Sequence, residues 1–361
     1  MKAVVARELG QIAVEDVELA PPRAGEVLVR MRATGVCHSD LSIINGTIGH
    51  PMPTVIGHEG AGIVEGVGEG VTQVQPGDHV AMSWIPQCGD CFYCDRGEPF
   101  SCEKNVPNGG LLDGTTRVQG EGGDISVALF MGNMAEYAVV PECCVIAIDK
   151  DYDFRAVALV GCAVTTGVGA VLKTAAVEPG STVAVVGCGG VGLNIVQGAR
   201  IAGASTIIAI DLSTEKLELA REFGATHALT AAANNAKTVR EMTDGRGVDY
   251  AFEAVGSGKL VETCVKMTRA NGHTVLVGIG SKDDRYSFNA ILLPATGKSI
   301  TGSMFGSADF RTDFPYYLDL YRKGQLELDK LISRCYGIEE APQAFADLEA
   351  GKNARGIIVY D

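Results

Sequence analysis

The chain has 361 residues, 46% hydrophobic and 20% charged, with 46 glycines and 13 prolines, a profile that outgrows one hydrophobic core and predicts two domains. A formal net charge of −14 spread along the chain argues against nucleic-acid and anionic-membrane partners and for a small-molecule partner. No charged leader opens the sequence and no run approaches the roughly 20 apolar residues that span a bilayer, so a soluble cytoplasmic protein is expected.

In chain order, Val27 to Ala33 (VLVRMRA) alternates strictly and predicts a strand, as do Gly62 to Val67 and Val80 to Trp84, the last after a GDHV turn. The first 150 residues otherwise hold glycine turns and little helical period, which predicts an irregular, loop-rich β domain. Within it lie GVCHSD (Gly35 to Asp40) and GHEGAG (Gly57 to Gly62).

QCGDCFYCDRGEPFSC follows, with cysteines at 88, 91, 94 and 102. The chain has eleven cysteines, an odd number, and their close spacing does not suit a disulfide framework. Thiolates two residues apart can meet on one ion at roughly 2.3 Å, and four of them close a tetrahedron with no room for substrate. This points to structural zinc, with an iron–sulfur site as the other reading of similar ligation.

From about Tyr152 the texture changes to apolar runs alternating with helical stretches, first a helix over Thr166 to Ala176. Next, Thr182 to Val186 reads as a strand, Gly187 to Gly192 as a glycine turn, Leu193 to Ala202 as a helix, and Thr206 to Ile210 as a second strand ending in Asp211. Helices at Thr214 to Phe223 and Leu260 to Thr268, with strands at Tyr250 to Glu253 and His273 to Val277, continue the alternation and imply a parallel sheet covered on both faces. After Ser299 the alternation stops. Helices at Phe314 to Arg322 and Ala341 to Ala350 precede a last strand, Gly356 to Val359, expected to return to the first domain.

Gly187, Gly189 and Gly192 form G-x-G-x-x-G between strand and helix, and Asp211 ends the next strand about 20 residues on, where a ribose hydroxyl would lie. Helix-start N–H groups favour a pyrophosphate, and a carboxylate at Asp211 favours NAD over NADP. Cys37, His58 and Cys162, the last in GCAVTTG (Gly161 to Gly167), form a two-thiolate, one-imidazole set that suits zinc and leaves a fourth position open.

Taken together, these motifs resemble the zinc-dependent medium-chain alcohol dehydrogenases, nearly end to end. The resemblance implies a doubly wound α/β Rossmann domain over residues 164–303. It also implies a discontinuous GroES-like, β-rich catalytic domain over 1–163 and 304–361. It implies two zinc ions per chain, a catalytic one on Cys37, His58 and Cys162 with Asp40 and Glu59 behind the ligands, and a structural one on Cys88, Cys91, Cys94 and Cys102. Ser39 matches the hydroxyl that handles the substrate proton, and His38 and Arg355 match positions near the pyrophosphate. Gly190 and Val191 belong to the glycine loop, Thr166 and Val191 match residues against the nicotinamide, and Lys216 lies near the ribose. Trp84, Ile279, Met304 and Phe305 match the substrate pocket. Ser42 departs from the family, which often has a proton-relay histidine there. The long Cys102 to Tyr137 stretch resembles the dimeric and thiol-dependent formaldehyde dehydrogenase branch, so a homodimer is expected, with a tetramer as the alternative. The implied reaction is hydride transfer between NAD and a primary alcohol or aldehyde. The rival readings are a thiol-adduct formaldehyde dehydrogenase, a zinc-free quinone reductase and an inactive nucleotide-binding protein.

Overall fold

The alternation in VLVRMRA belongs to a longer element, the eleven-residue strand Glu26–Val36. In this computed structural model, which describes residues 1–361, that strand sits inside a seven-stranded sheet. The order is Val145–Ile148, His79–Met82, Glu59–Val67, Glu26–Val36, Arg355–Val359 and Ile332–Gly337, with Tyr137–Pro141 also on Glu26–Val36. Side chains two apart point the same way, so Val27, Val29 and Met31 enter one core with Val64, Val80, Met82 and Ile358. The C-terminal tail does return: Gly356 pairs with Val36 and Val359 with Ala33.

A six-stranded sheet in the same unit joins Gln11–Asp16, Lys2–Glu8, Thr54–Val55, Gly123–Val127, Val118–Gly120 and Glu18–Leu19. Several of these strands are two to five residues long, too short to show a period in the sequence. The unit comprises Met1–Cys162, Asp309–Gly324 and Leu328–Asp361.

The second unit, Ala163–Ala308 with Gln325–Glu327, is built on a parallel sheet. Its order is His227–Thr230, Thr206–Asp211, Thr182–Val186, Val248–Glu253, Thr268–Leu276 and Ser299–Gly302. In chain order that is 3-2-1-4-5-6, the doubly wound arrangement whose crevice opens at the carboxyl ends where strand 1 meets strand 4. The helix after strand 1 is Gly190–Ile201, three residues earlier than the apolar pattern marks, because the glycine loop itself winds the first turn. Strand Thr268–Leu276 likewise starts where the helical period predicted a last helical residue.

The helix expected at Thr166 to Ala176 is the latter half of a 21-residue run, Phe154–Thr174, which stops two residues short of Ala176. Asp153 caps it, its side chain accepting from Arg155 N. Contrary to the sequence reading, this run is long and apolar enough to cross a bilayer, yet 83% of its apolar window is buried, which marks a core helix. Wide π turns interrupt it at Val160–Val164 and Ala170–Thr174.

Candidate metal centres and glycine loop

Cys37 lies where strand Glu26–Val36 gives way to the helix His38–Ile44. Its backbone is extended (φ −120°, ψ 152°) and its thiol makes no cap bond with the helix. His58 follows Gly57, whose φ of +103° suits glycine and whose Cβ, if present, would lie 2.5 Å from Met134 N. Cys162 sits in the first π turn, a distortion that recurs at functional sites. These elements bring Cys37, His58, Glu59 and Cys162 together, all buried, with one ligand atom from each within 4.8 Å of the others.

Asp40, fully buried in the helix's first turn, accepts from Gly57 N at 3.0 Å and faces His58 Nδ1 at 3.0 Å. With Nδ1–H donating to that carboxylate, His58 Nε2 presents a lone pair to the cluster once it gives up its own proton. That nitrogen is buried and has no hydrogen-bond partner, an arrangement costly without a ligand. Burial alone would lower the His58 pKa, but Asp40 outweighs it and holds the imidazole well above its ordinary value. The hydrogen bond to Cys162 draws the Cys37 thiol well below the usual range, with Arg355 and His58 helping. The same bond, with burial, pushes Cys162 up. Burial pushes Glu59 up to about 8, against the pull of Arg355. Two thiols and an orphaned imidazole nitrogen fit a borderline-soft cation such as zinc.

Ser39 Oγ lies 3.8 Å from Cys37 Sγ on the half-buried side of the helix, whereas His38 is exposed. Arg355, expected near a pyrophosphate, is buried, 3.3 Å from Glu59 Oε1 and 3.3 Å from Val36 O.

The second cluster is the four-cysteine segment. Sγ–Sγ distances are 3.9 Å for Cys88–Cys94, 4.0 Å for Cys91–Cys102 and 3.5 Å for Cys102–Cys88. Disulfide bonds measure about 2.05 Å, whereas the edge of a tetrahedral zinc–thiolate site is about 3.8 Å. All eleven cysteines are free thiols. Glu103 N donates to Cys91 Sγ, which brings that thiol down to about 6.

In the second unit, Gly187 (φ +93°) turns the chain out of its strand, and a Cβ on Gly192 would sit 1.7 Å from Gly187 O, so only glycine closes this loop. A Cβ on Gly189 would point into open space, the side from which a ligand can approach. Gly190 and Val191 open the helix behind it. Gly167 brings the segment carrying Thr166 against this turn, since its Cβ would lie 2.5 Å from Val191 O. Asp211 is tied to the loop: Oδ2 accepts from Cys188 N at 2.7 Å and Oδ1 from Ser213 N at 2.9 Å. Lys216 starts beside it, its N–H capping onto Ser213 Oγ. Of the expected pocket residues, Trp84 packs against the first unit's core. The other three belong to the second unit, where Ile279 and Met304 are exposed and Phe305 is buried.

Sequence reasoning passed over two buried polar residues. Asn133 lies under the His58 loop, its backbone N donating to Gly57 O, and Glu253 closes the fourth strand of the parallel sheet. Neither sits in a recognisable motif; a charge ending an apolar run was the only signal for the second.

An alcohol dehydrogenase GroES-like domain model matches residues 23–150, and a zinc-binding dehydrogenase model matches 190–323. The NDMA-dependent alcohol dehydrogenase of Amycolatopsis methanolica is 38% identical over 365 aligned residues, spanning 99% of this chain and 98% of that one. An alcohol dehydrogenase zinc-binding domain protein from Burkholderia ambifaria superposes with a TM-score of 0.95 at 35% identity, over 100% of this chain and 98% of that one. Benzyl alcohol dehydrogenase from Acinetobacter calcoaceticus gives 0.94 at 31%, over 100% and 99%. With that coverage and both domain models matched, the chain belongs to the zinc-dependent medium-chain alcohol dehydrogenases.

Proposed function

We propose that the protein interconverts a primary alcohol and its aldehyde with NAD as hydride partner. Cys37, His58 and Cys162 would hold a catalytic zinc, and Cys88, Cys91, Cys94 and Cys102 a structural one. The observation that carries this reading is the buried, unbonded His58 Nε2 aimed among two thiols. When bound, zinc supplies Lewis acidity to the alcohol oxygen and the nicotinamide supplies the hydride acceptor. The residues do the rest. Asp40 fixes the imidazole's tautomer and direction through Nδ1. Ser39 Oγ is close enough to the cluster to take up the hydroxyl proton. The start of helix Gly190–Ile201 offers N–H groups to a pyrophosphate, and Asp211 accepts from the ribose hydroxyls while repelling a 2′-phosphate.

The likeness to benzyl alcohol dehydrogenase supports an aromatic primary alcohol as substrate. The name of the Amycolatopsis relative supports a second reading, turnover that requires NDMA as acceptor. One experiment separates them: zinc content by elemental analysis, then rates with benzyl and aliphatic alcohols and NAD, NADP or NDMA as acceptor, each with and without glutathione. NAD-linked rates without thiol are expected. Turnover only with NDMA would favour the second reading, and an absolute need for glutathione would favour a thiol-adduct formaldehyde dehydrogenase.

A further inference from the structure

The glycine loop is not the only backbone turn at the carboxyl end of the parallel sheet. Strand Val248–Glu253 ends beside strand Thr182–Val186, with Glu253 opposite Val186, and Ala254 to Ser257 turn away from it. Glu253 is 1% exposed, and that turn wraps its carboxylate. Oε1 accepts from Val255 N at 3.0 Å, Gly256 N at 2.9 Å and Ser257 N at 3.3 Å, while Oε2 accepts from Gly256 N at 3.0 Å. Gly256 has φ +90°. Successive N–H groups converging through such a residue form an anion-binding nest, and here the chain's own carboxylate fills it.

The wrapped turn is packed closely against its neighbours, through both backbone and the Val255 side chain. A Cβ on Gly187 would lie 2.5 Å from Val255 Cγ2, and one on Gly256 would lie 2.5 Å from the Ile279 carbonyl carbon. A Cβ on Gly278 would lie 2.1 Å from Gly256 N. The position of Gly187, which opens the glycine loop, is therefore set against this turn. Val255 and Ile279 meanwhile present apolar side chains outward, 53% and 66% exposed.

We propose that Glu253 is a positioning residue for the dinucleotide: by filling the nest of Val255 to Ser257 it fixes Val255 and Ile279 as an apolar floor beside Gly187, and leaves the start of helix Gly190–Ile201 to receive the pyrophosphate charge. The inference rests on the dinucleotide reading above. Replacement by glutamine exchanges one acceptor oxygen for an NH₂ that confronts an N–H donor. Replacement by aspartate keeps the charge but withdraws it by one methylene.

The test is calorimetric binding of NAD and of NADP to the full zinc-loaded chain, with steady-state kinetics alongside. For Glu253→Gln we expect the NAD dissociation constant to rise about tenfold and the KM for NAD to follow it, while kcat stays within about twofold. Glu253→Asp should fall between the two, and zinc content should not change. Should Glu253→Gln fail to fold, Glu253→Asp takes its place and must still weaken NAD binding, by a smaller factor. A parent that binds NAD together with a Glu253→Gln variant, or in its stead a Glu253→Asp variant, that binds it equally well would overturn the role of Glu253 alone. A parent that binds neither dinucleotide would overturn the cofactor reading, and this inference with it.

Discussion

The Arg355 guanidinium lies 3.3 Å from the Glu59 carboxylate, and the two side chains are 4% and 0% exposed. They come from strands on either side of Glu26–Val36, and Gly35 between them has no Cβ that would meet Glu59 Oε2 at 2.0 Å. With Glu59 pushed up to about 8, the pair is ionised above that pH, and there removing one partner strands the other's charge at a cost of about 3–5 kcal/mol. Arg355→Met should therefore lower the denaturation midpoint strongly, and Arg355→Met combined with Glu59→Gln should recover much of the loss. A double variant as unstable as the sum of the singles would show that the two side chains are not coupled.

Ser39 and Ser42 share one short helix, but only Ser39 stands beside a candidate zinc ligand. General acid–base groups contribute on the order of 10²–10⁴-fold, so Ser39→Ala should lower kcat by about that factor. Ser42→Ala should stay near the parent. Small and equal effects on kcat would send the proton by another path.

The two cysteine clusters should separate by readout. Cys162→Ala should abolish most activity with the fold intact, because three dispersed ligands do not hold the unit together. Cys91→Ala should release metal from its segment, lower the melting temperature and expose residues 88–102 to protease. Metal counts of both variants, with circular dichroism, check this; a fully active Cys162→Ala would remove that thiol from the site.

On the proposed function Asp211 has two tasks: its carboxylate would repel a 2′-phosphate, and it also holds Cys188 N and Ser213 N. Asp211→Gly should therefore lose NAD efficiency by more than it gains with NADP. Asp211→Asn, which keeps one acceptor oxygen, should shift the ratio of the two kcat/KM values with less total loss. Equal use of both cofactors by the parent would defeat the assignment.

Asp113 gives a pH dependence away from both metal clusters. Burial pushes its carboxyl up, but bonds from Thr115 N at 2.9 Å and from Arg117 Nη2 at 2.7 Å outweigh it and hold the group down at about 2. A depressed carboxylate contributes stability that is present above its unfolded pKa, near ~4, and is lost as pH falls toward about 2. At 41% side-chain exposure the effect is screened. Asp113→Asn should flatten the fall in melting temperature across that window, and parallel acid limbs would show that the contribution is negligible.

The parallel sheet was legible because its first two strands, Thr182–Val186 and Thr206–Asp211, are near-continuous apolar and β-branched runs and Gly187 to Gly192 punctuates strand from helix. The candidate metal cluster at residues 88–102 was legible as chemistry, since closely spaced thiols next to glycines have few other uses. What the sequence hid is what depends on partners distant along the chain. Arg355 reads as a cation near the pyrophosphate until strand Arg355–Val359 carries it to Glu59. Glu253 reads as the polar end of a strand until the following turn folds its amides onto it. The strands Thr54–Val55 and Glu18–Leu19 have no period to detect because their pairing, not their composition, makes them strands.

Cys162 stands in a turn wound one residue wider than an α-helix. Deleting any one residue of Val160–Val164 other than Cys162 would let that turn relax to ordinary pitch and rotate the thiol by about 100° relative to the residues that follow. The segment is thus intolerant of length change in a way that substitution scanning would not reveal: conservative replacements at Val160 or Val164 keep the bulge, whereas a one-codon deletion removes the ligand from its cluster without altering the cysteine itself.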